Sequence, residues 1–194
     1  LCEDEEAENL VRGFLDFLGP KLDLLQNDIE VGRDTGKDQY LSHLETLARF
    51  RRLETMVFVL DGDGKGVRQQ LEARASTLNQ PVRIICLPSE DAPELWAWKT
   101  IQENTEKYAP FFGLVPDALA SRLVALDGLY GNAADRPTAI AKNKLFTLVE
   151  ENSRTLPDLF RHLGKSEAES KAGLVDPVVS ELENMVRDWR ISRS

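Results

Sequence analysis

Thr55-Met56-Val57-Phe58-Val59-Leu60 is an apolar run of β-branched and aromatic residues, and it ends in Asp61-Gly62-Asp63-Gly64. Such a run fits a strand buried on both faces. The two aspartates follow at i and i+2, and the glycines let the backbone turn tightly there. Two carboxylates are thereby brought close together at the edge of a sheet. Like charges at that spacing repel unless a cation lies between them. A hard divalent ion such as magnesium suits an all-oxygen site.

The segments on either side alternate between strand and helix. Residues 1–3 have the character of a strand end, and residues 6–18 form a helix with Leu10, Phe14, Leu15, Phe17 and Leu18 at helical spacing. Gly19-Pro20 is expected to stop that helix. Residues 28–31 are a short strand, 32–36 a loop, and 38–50 a helix striped by Tyr40, Leu41, Leu44 and Leu47. The central strand at 55–60 is followed by a helix at 64–78 and a second apolar strand at 82–87. This alternation predicts an α/β fold, a parallel-rich sheet flanked by helices, over residues 1–90. In such sheets ligands bind at the carboxyl ends of the strands, where Glu3, Asp61 and Asp63 fall. From residue 91 the strand signal ends. Helices are expected at 92–105, 116–130, 138–152, 156–163 and 175–193, with 164–173 a polar, mobile loop. Residues 91–194 are therefore a C-terminal helical subdomain that packs on or completes the core.

A chain of 194 residues can bury a real core. Its hydrophobic content of 42% and charged content of 29% are those of a globular chain. No stretch approaches about 18 consecutive apolar residues, so no membrane span is expected, and no secretory leader is visible. The opening Leu1-Cys2-Glu3 without methionine is what a region excised from a longer protein would show. Cys2 and Cys86 lie in apolar runs and suit small core residues in a reducing cytoplasm. The net charge of −9 argues against a non-specific DNA coat. It leaves room for a nuclease, whose clustered acids are partly neutralised by metal.

Several chemistries use paired aspartates after a strand. An EF-hand would take Asp61, Asp63, Gly66 and Glu72 at its loop positions, but Lys65 occupies a ligand place and a strand precedes instead of a helix. A haloacid-dehalogenase-like phosphatase would use Asp61 as nucleophile and Asp63 as general acid, although Lys65 departs from that pattern and a strand-helix-strand-helix unit comes first. The pair could also cap the following helix, or belong to a non-catalytic, metal-stabilised interaction module. The remaining arrangement is a glutamate after a first strand, a helix, a strand, a second helix, and a strand ending in Asp-x-Asp. Leu1-Cys2-Glu3, residues 29–31 and Val57-Phe58-Val59-Leu60-Asp61-Gly62-Asp63 supply these in order.

That order resembles the Toprim fold, a Rossmann-like sheet. The opening Leu-Cys-Glu-Asp-Glu-Glu-Ala-Glu, and Leu87-Pro88-Ser89-Glu90-Asp91-Ala92-Pro93-Glu94 after the second apolar strand, resemble the acidic motifs of the overcoming-lysogenization-defect (OLD) family of nucleases. The resemblance implies metal-dependent nicking or cleavage of DNA with two magnesium or manganese ions. It also implies an amino-terminal ATPase region elsewhere in the full-length protein, since no phosphate-binding loop is present here. A homodimer would let two chains cut opposite strands. The first motif departs from the family at Ala7, where a second acid is usual, and Glu6 or Glu8 stands in its place.

Two-metal hydrolysis needs carboxylates around both ions. The expected metal ligands are Glu3, Glu8, Asp61, Asp63 and Glu94, with Glu90 behind Glu94. Lys142 and Lys144 are the candidate cations for the transition-state phosphate, and Lys65 could also reach it. Arg49, Arg51 and Arg52 beside Phe50 could hold a DNA backbone or form a solvated helix end. His43 and His162 neighbour no nucleophile and are expected to be ordinary histidines. Trp96 and Trp98 cannot share one helix face.

Overall fold

The computed structural model describes residues 1–25, 28–33, 39–62, 64–131, 136–171 and 173–191. Its two strands, β1 (Val57–Leu60) and β2 (Arg83–Cys86), pair in parallel with Val57 opposite Arg83 and Leu60 opposite Cys86. Two single-residue parallel bridges extend this sheet, Cys2 to Val59 and Cys2 to Arg33. The Leu1 ammonium donates to the Val57 carbonyl at 2.7 Å, the Val59 N–H to Leu1 at 2.8 Å, and the Cys2 N–H to Gly32 at 2.8 Å. The spatial order is therefore the 31–33 segment, Leu1–Cys2, β1, β2. The pairing expected at 28–31 occurs instead at Gly32 and Arg33. Asp28 is held outside the ladder, accepting from the Leu25 N–H at 2.9 Å. The strand expected from 55 begins at Val57, after a 3₁₀ turn at Leu53–Thr55.

Alternation along the strands divides the core. Cys2, Val59 and Ile85 face α1 (Glu5–Leu22) and the helices of the second half. Phe58, Leu60 and Ile84 face α2 (Tyr40–Arg49) and α3 (Lys65–Thr77). Tyr40 is buried beside Phe58 and donates its hydroxyl to the Val59 carbonyl at 2.9 Å. Each large side chain buried this completely contributes about 2 kcal/mol.

Among the described residues the regular elements of the second half are helices: α4 (Pro93–Glu103), α5 (Thr105–Phe112), α6 (Pro116–Tyr130), α7 (Pro137–Glu151), α8 (Leu156–Glu169) and α9 (Asp176–Ile191). It shares one continuous core with α1 and the sheet, so it completes the α/β core instead of forming a separate body. Among the described residues no single helix is long and apolar enough to cross a membrane. The apolar pair α5 and α6 passes that test only together and bends by 91° between its two helices.

Helix boundaries also differ from the sequence pattern. Pro20 does not stop α1, which continues to Leu22. Leu18 and Leu22 are both buried, and Arg190 donates to the Leu22 and Asp23 carbonyls that the helix end leaves open. The helix expected at 92–105 breaks at Asn104, and α5 follows at once. The loop expected at 164–173 is helix as far as Glu169. Gly164 continues α8 because it is the contact point with α1. A Cβ there would collide with the Leu10 carbonyl oxygen, and one on Gly13 would collide with the Arg161 carbonyl oxygen. The two glycines let the helix backbones approach where no side chain fits.

Replacing Gly164 by Ala should therefore destabilise the chain by about 2 kcal/mol, because the clash is with backbone. Replacing Gly19 by Ala, where nothing lies within 4 Å of the added methyl, should stabilise it by about 0.5–1 kcal/mol. Urea denaturation of both variants checks the contrast. Equal midpoints would contradict the close crossing.

Candidate active site

The chain enters the sheet at Leu1–Cys2, an interior position, and leaves it in both directions. From there α1 covers one face, whereas α3, after β1, covers the other. The connections that follow Cys2 and Leu60 thus diverge, and in open α/β sheets ligands bind where such connections part. Glu3 is one residue beyond the Cys2 bridge and Asp61 two residues beyond its partner Val59. Neighbouring strands lie about 4.8 Å apart, so both acids stand at the same rim. Asp61 is only 6% exposed, and one carboxyl oxygen of each residue is shut off from solvent.

The loop after β2 closes against the loop after β1. The Gly64 N–H donates to the Asp61 carbonyl at 2.9 Å, which makes the turn tight. A Cβ on Gly62 would collide with the Ser89 carbonyl oxygen, so only glycine allows this contact. Ser89 itself has φ of 85°, and its hydroxyl accepts from the Asp91 N–H at 2.8 Å. A serine held in that conformation is local strain of the kind found at functional loops. Asp91 pairs with Lys99 at 2.6 Å, and Glu90 is exposed.

Beside this rim the amino ends of α1, α4 and α7 bring a second group of charges together. Asp4 caps α1, accepting from the Ala7 N–H at 2.8 Å. Glu6 and Glu94 are buried, at 7% and 6% exposure. The Lys142 ammonium lies between them, 2.6 Å from Glu6 and 3.6 Å from Glu94. Burial pushes the Glu94 carboxyl above its ordinary range, and the neighbouring Glu6 adds to this. Burial also raises Asp4. Lys142 is raised as well: its hydrogen bond to Glu6 and the nearby carboxylates outweigh the opposing effect of desolvation.

Of the expected site residues, the structure brings Glu3 and Asp61 to one rim, and Glu94 and Lys142 to one cluster beside it. Asp63 lies outside the described residues, as does the Lys65 side chain. Glu8 points elsewhere. It receives Arg12 at 2.7 Å and stands 3.9 Å from Arg33, on the side of the 31–33 segment. Glu6 takes the inward position. Lys144 is not at the site either, being buried between α6 and α7 with Asp127 at 2.7 Å and the Trp98 ring at 5.3 Å. Trp96 and Trp98 are both buried because α4 is enclosed on several sides. His162 stacks on Phe111, and burial lowers its pKa; His43 is exposed. Cys2 and Cys86 are free, and burial pushes the Cys2 thiol up to about 12. An apolar cavity of about 510 Å³ lies at the other end of the strands, between α1 and α9. Its lining includes neither Asp61 nor Glu94.

Among the described residues no three His, Cys, Asp or Glu side chains form a ready metal-binding group. Comparison of the chain with family models, with curated proteins and with solved structures gives no match.

The raised carboxyl of Glu94 fixes a pH dependence. The folded state holds that proton more tightly than the unfolded chain, so this group's contribution to stability falls as pH rises from about 4.3 through the folded value. The stability of Glu94→Gln relative to the parent should accordingly increase between pH 4 and pH 7, as urea midpoints at the two values will record. A difference that stays constant, or moves the other way, would contradict the assignment.

Proposed function

We propose that this chain is a divalent-metal-dependent hydrolase of phosphodiester bonds, a DNA endonuclease acting at the carboxyl rim of its sheet. The observation that carries the reading is the meeting of Glu3 and Asp61 at the topological switch point, on neighbouring parallel strands. Carboxylates far apart in sequence and close in space are what two-metal phosphoryl chemistry requires. On this reading the α/β core is Toprim-like, and the resemblance to the OLD nucleases extends to magnesium or manganese as the ions. It also extends to an ATPase region in the same polypeptide, to a homodimer and to a cytoplasmic setting.

The donor set fits such ions. Every candidate ligand offers oxygen, the donor that hard divalent cations prefer. The Lys142 ammonium between Glu6 and Glu94 is itself a cation held among acids. Glu3, Asp61 and Asp63 would hold the ions, with Glu94 and Glu6 next to them. When bound, the ions would supply an activated water and neutralise charge on the leaving oxygen.

The chain's own groups supply the rest. The amino ends of α1, α3 and α4 follow the strand ends and turn their partial positive charge toward the rim, where a phosphate is stabilised. Lys142 donates from the cluster toward charge developing on the phosphoryl oxygens. The Ser89–Gly62 contact fixes the Asp61 turn, so the ligands need little rearrangement.

Supercoiled plasmid should be nicked in magnesium or manganese and left intact in EDTA. Glu3→Gln combined with Asp61→Asn should slow nicking by about a hundredfold or more, the scale on which metal-site substitutions act. Manganese should raise the melting temperature of the parent and not of that variant. Nicking by the variant at the parent rate would sink the proposal.

A further inference from the structure

The basic tip at the end of α2 has no part in the chemistry above. Most arginines of this acidic chain meet a carboxylate, as Arg74 meets Glu45 at 2.8 Å and Arg68 meets Glu72 at 2.8 Å. Arg49, Arg51 and Arg52 are exposed, and among the described residues no carboxylate pairs with them. Phe50, in their midst, is 73% exposed.

The backbone ends α2 at this tip in a way that recurs at Asn79 after α3 and at Ser153 after α7. The Arg51 N–H donates to Ala48 at 3.1 Å and the Arg52 N–H to Leu47 at 2.9 Å, the paired bonds of a Schellman helix end. The residue after the cap in that motif is left-handed and usually glycine. Here it is Arg51, with φ of 53°. A residue with a Cβ occupies that conformation at a cost that glycine avoids. The chain thus keeps an arginine where stability alone favours glycine, next to an aromatic ring left in water.

We propose that Arg49, Phe50, Arg51 and Arg52 form a contact for single-stranded nucleic acid, the guanidinium groups on phosphates and the Phe50 ring stacked on an unpaired base. Guanidinium groups with an exposed ring are the chemistry of sequence-independent single-strand binding. The tip lies before β1, so the length of that strand, about 13 Å, separates it from Asp61 at the other rim. It binds strand and does not cut it. The inference goes beyond the hydrolase reading and does not rest on it, because binding needs no metal.

The test is fluorescence anisotropy of a labelled oligothymidylate in EDTA, where nicking cannot occur. Three phosphate contacts predict a log K against log salt slope of about −2. Phe50→Ala should weaken binding about tenfold. Replacing all three arginines by Gln should remove the salt dependence. Arg51→Gly should weaken binding while raising the melting temperature by about 2 °C, which an arginine kept for stability would not do. The proposal is overturned if the triple variant keeps the parent slope. It is equally overturned if duplex binds as well as single strand with Phe50→Ala without effect. Displacement of the strand by polyglutamate at equal charge would also overturn it and assign the tip to an acidic protein partner.

Discussion

The parallel pairing of Leu1 and Cys2, between β1 on one side and Gly32–Arg33 on the other, is the constraint on which the rest depends. A strand in that position is covered on both edges and both faces, so Cys2 is fully buried. It also fixes where the chain can go next. With α1 on one face of the sheet and α3 on the other, the two connections must part at the carboxyl rim. Glu3 and Asp61 are the residues that follow the strands where the connections part. Remove the pairing, and the first acidic motif has no reason to stand near the second.

The helices of the second half pack against α1 and the sheet beside that rim. The close approach of Gly13 to Gly164 docks α8 on α1 and so fixes the angle at which α1 leaves the sheet. Glu6, in the first turn of α1, is aimed by that angle. Packing of α7 against α4 then sets Lys142 opposite Glu94. Glu6, Glu94 and Lys142 come from three helices widely separated in sequence, and none would meet without the shared core. Burial of Glu94 disfavours its charged form, and the Lys142 ammonium offsets part of that cost. Such a buried ionic cluster is weak evidence for stability and a candidate functional site.

Much of this was legible in the sequence. The run into Asp61-Gly62-Asp63-Gly64 located β1 and its turn, because continuous apolar character and glycines leave few other options. The bounds of α6 were marked by Pro116 and Gly131. What pattern alone missed was decided by tertiary contact. Gly164 suggested a loop because glycine is a weak helix former, yet its lack of a side chain is what the crossing with α1 requires. Pro20 suggested a stop, but burial of Leu22 and the reach of Arg190 hold one more turn. The identity of the inward acid was available in principle. The stripe of Leu10 and Phe14, projected back by one turn, falls on Glu6 and not on Glu8. The same projection from Ala141 and Leu148 places Lys144 in the core and leaves Lys142 outside it.

The two rims of the sheet carry different charged groups. Glu3 and Asp61 stand where the strands end; Arg49, Arg51 and Arg52 precede β1 where the strands begin, a rim that also carries Asp28, Glu30 and Glu54. On the proposed reading, a phosphate strand would approach the acids of the carboxyl rim only with divalent ions between them, whereas added salt would only screen a contact with the arginine tip. Ionic conditions would then act on the two ends in opposite senses. A protein that both held and cut a strand would work best where divalent ions are sufficient and monovalent salt is low.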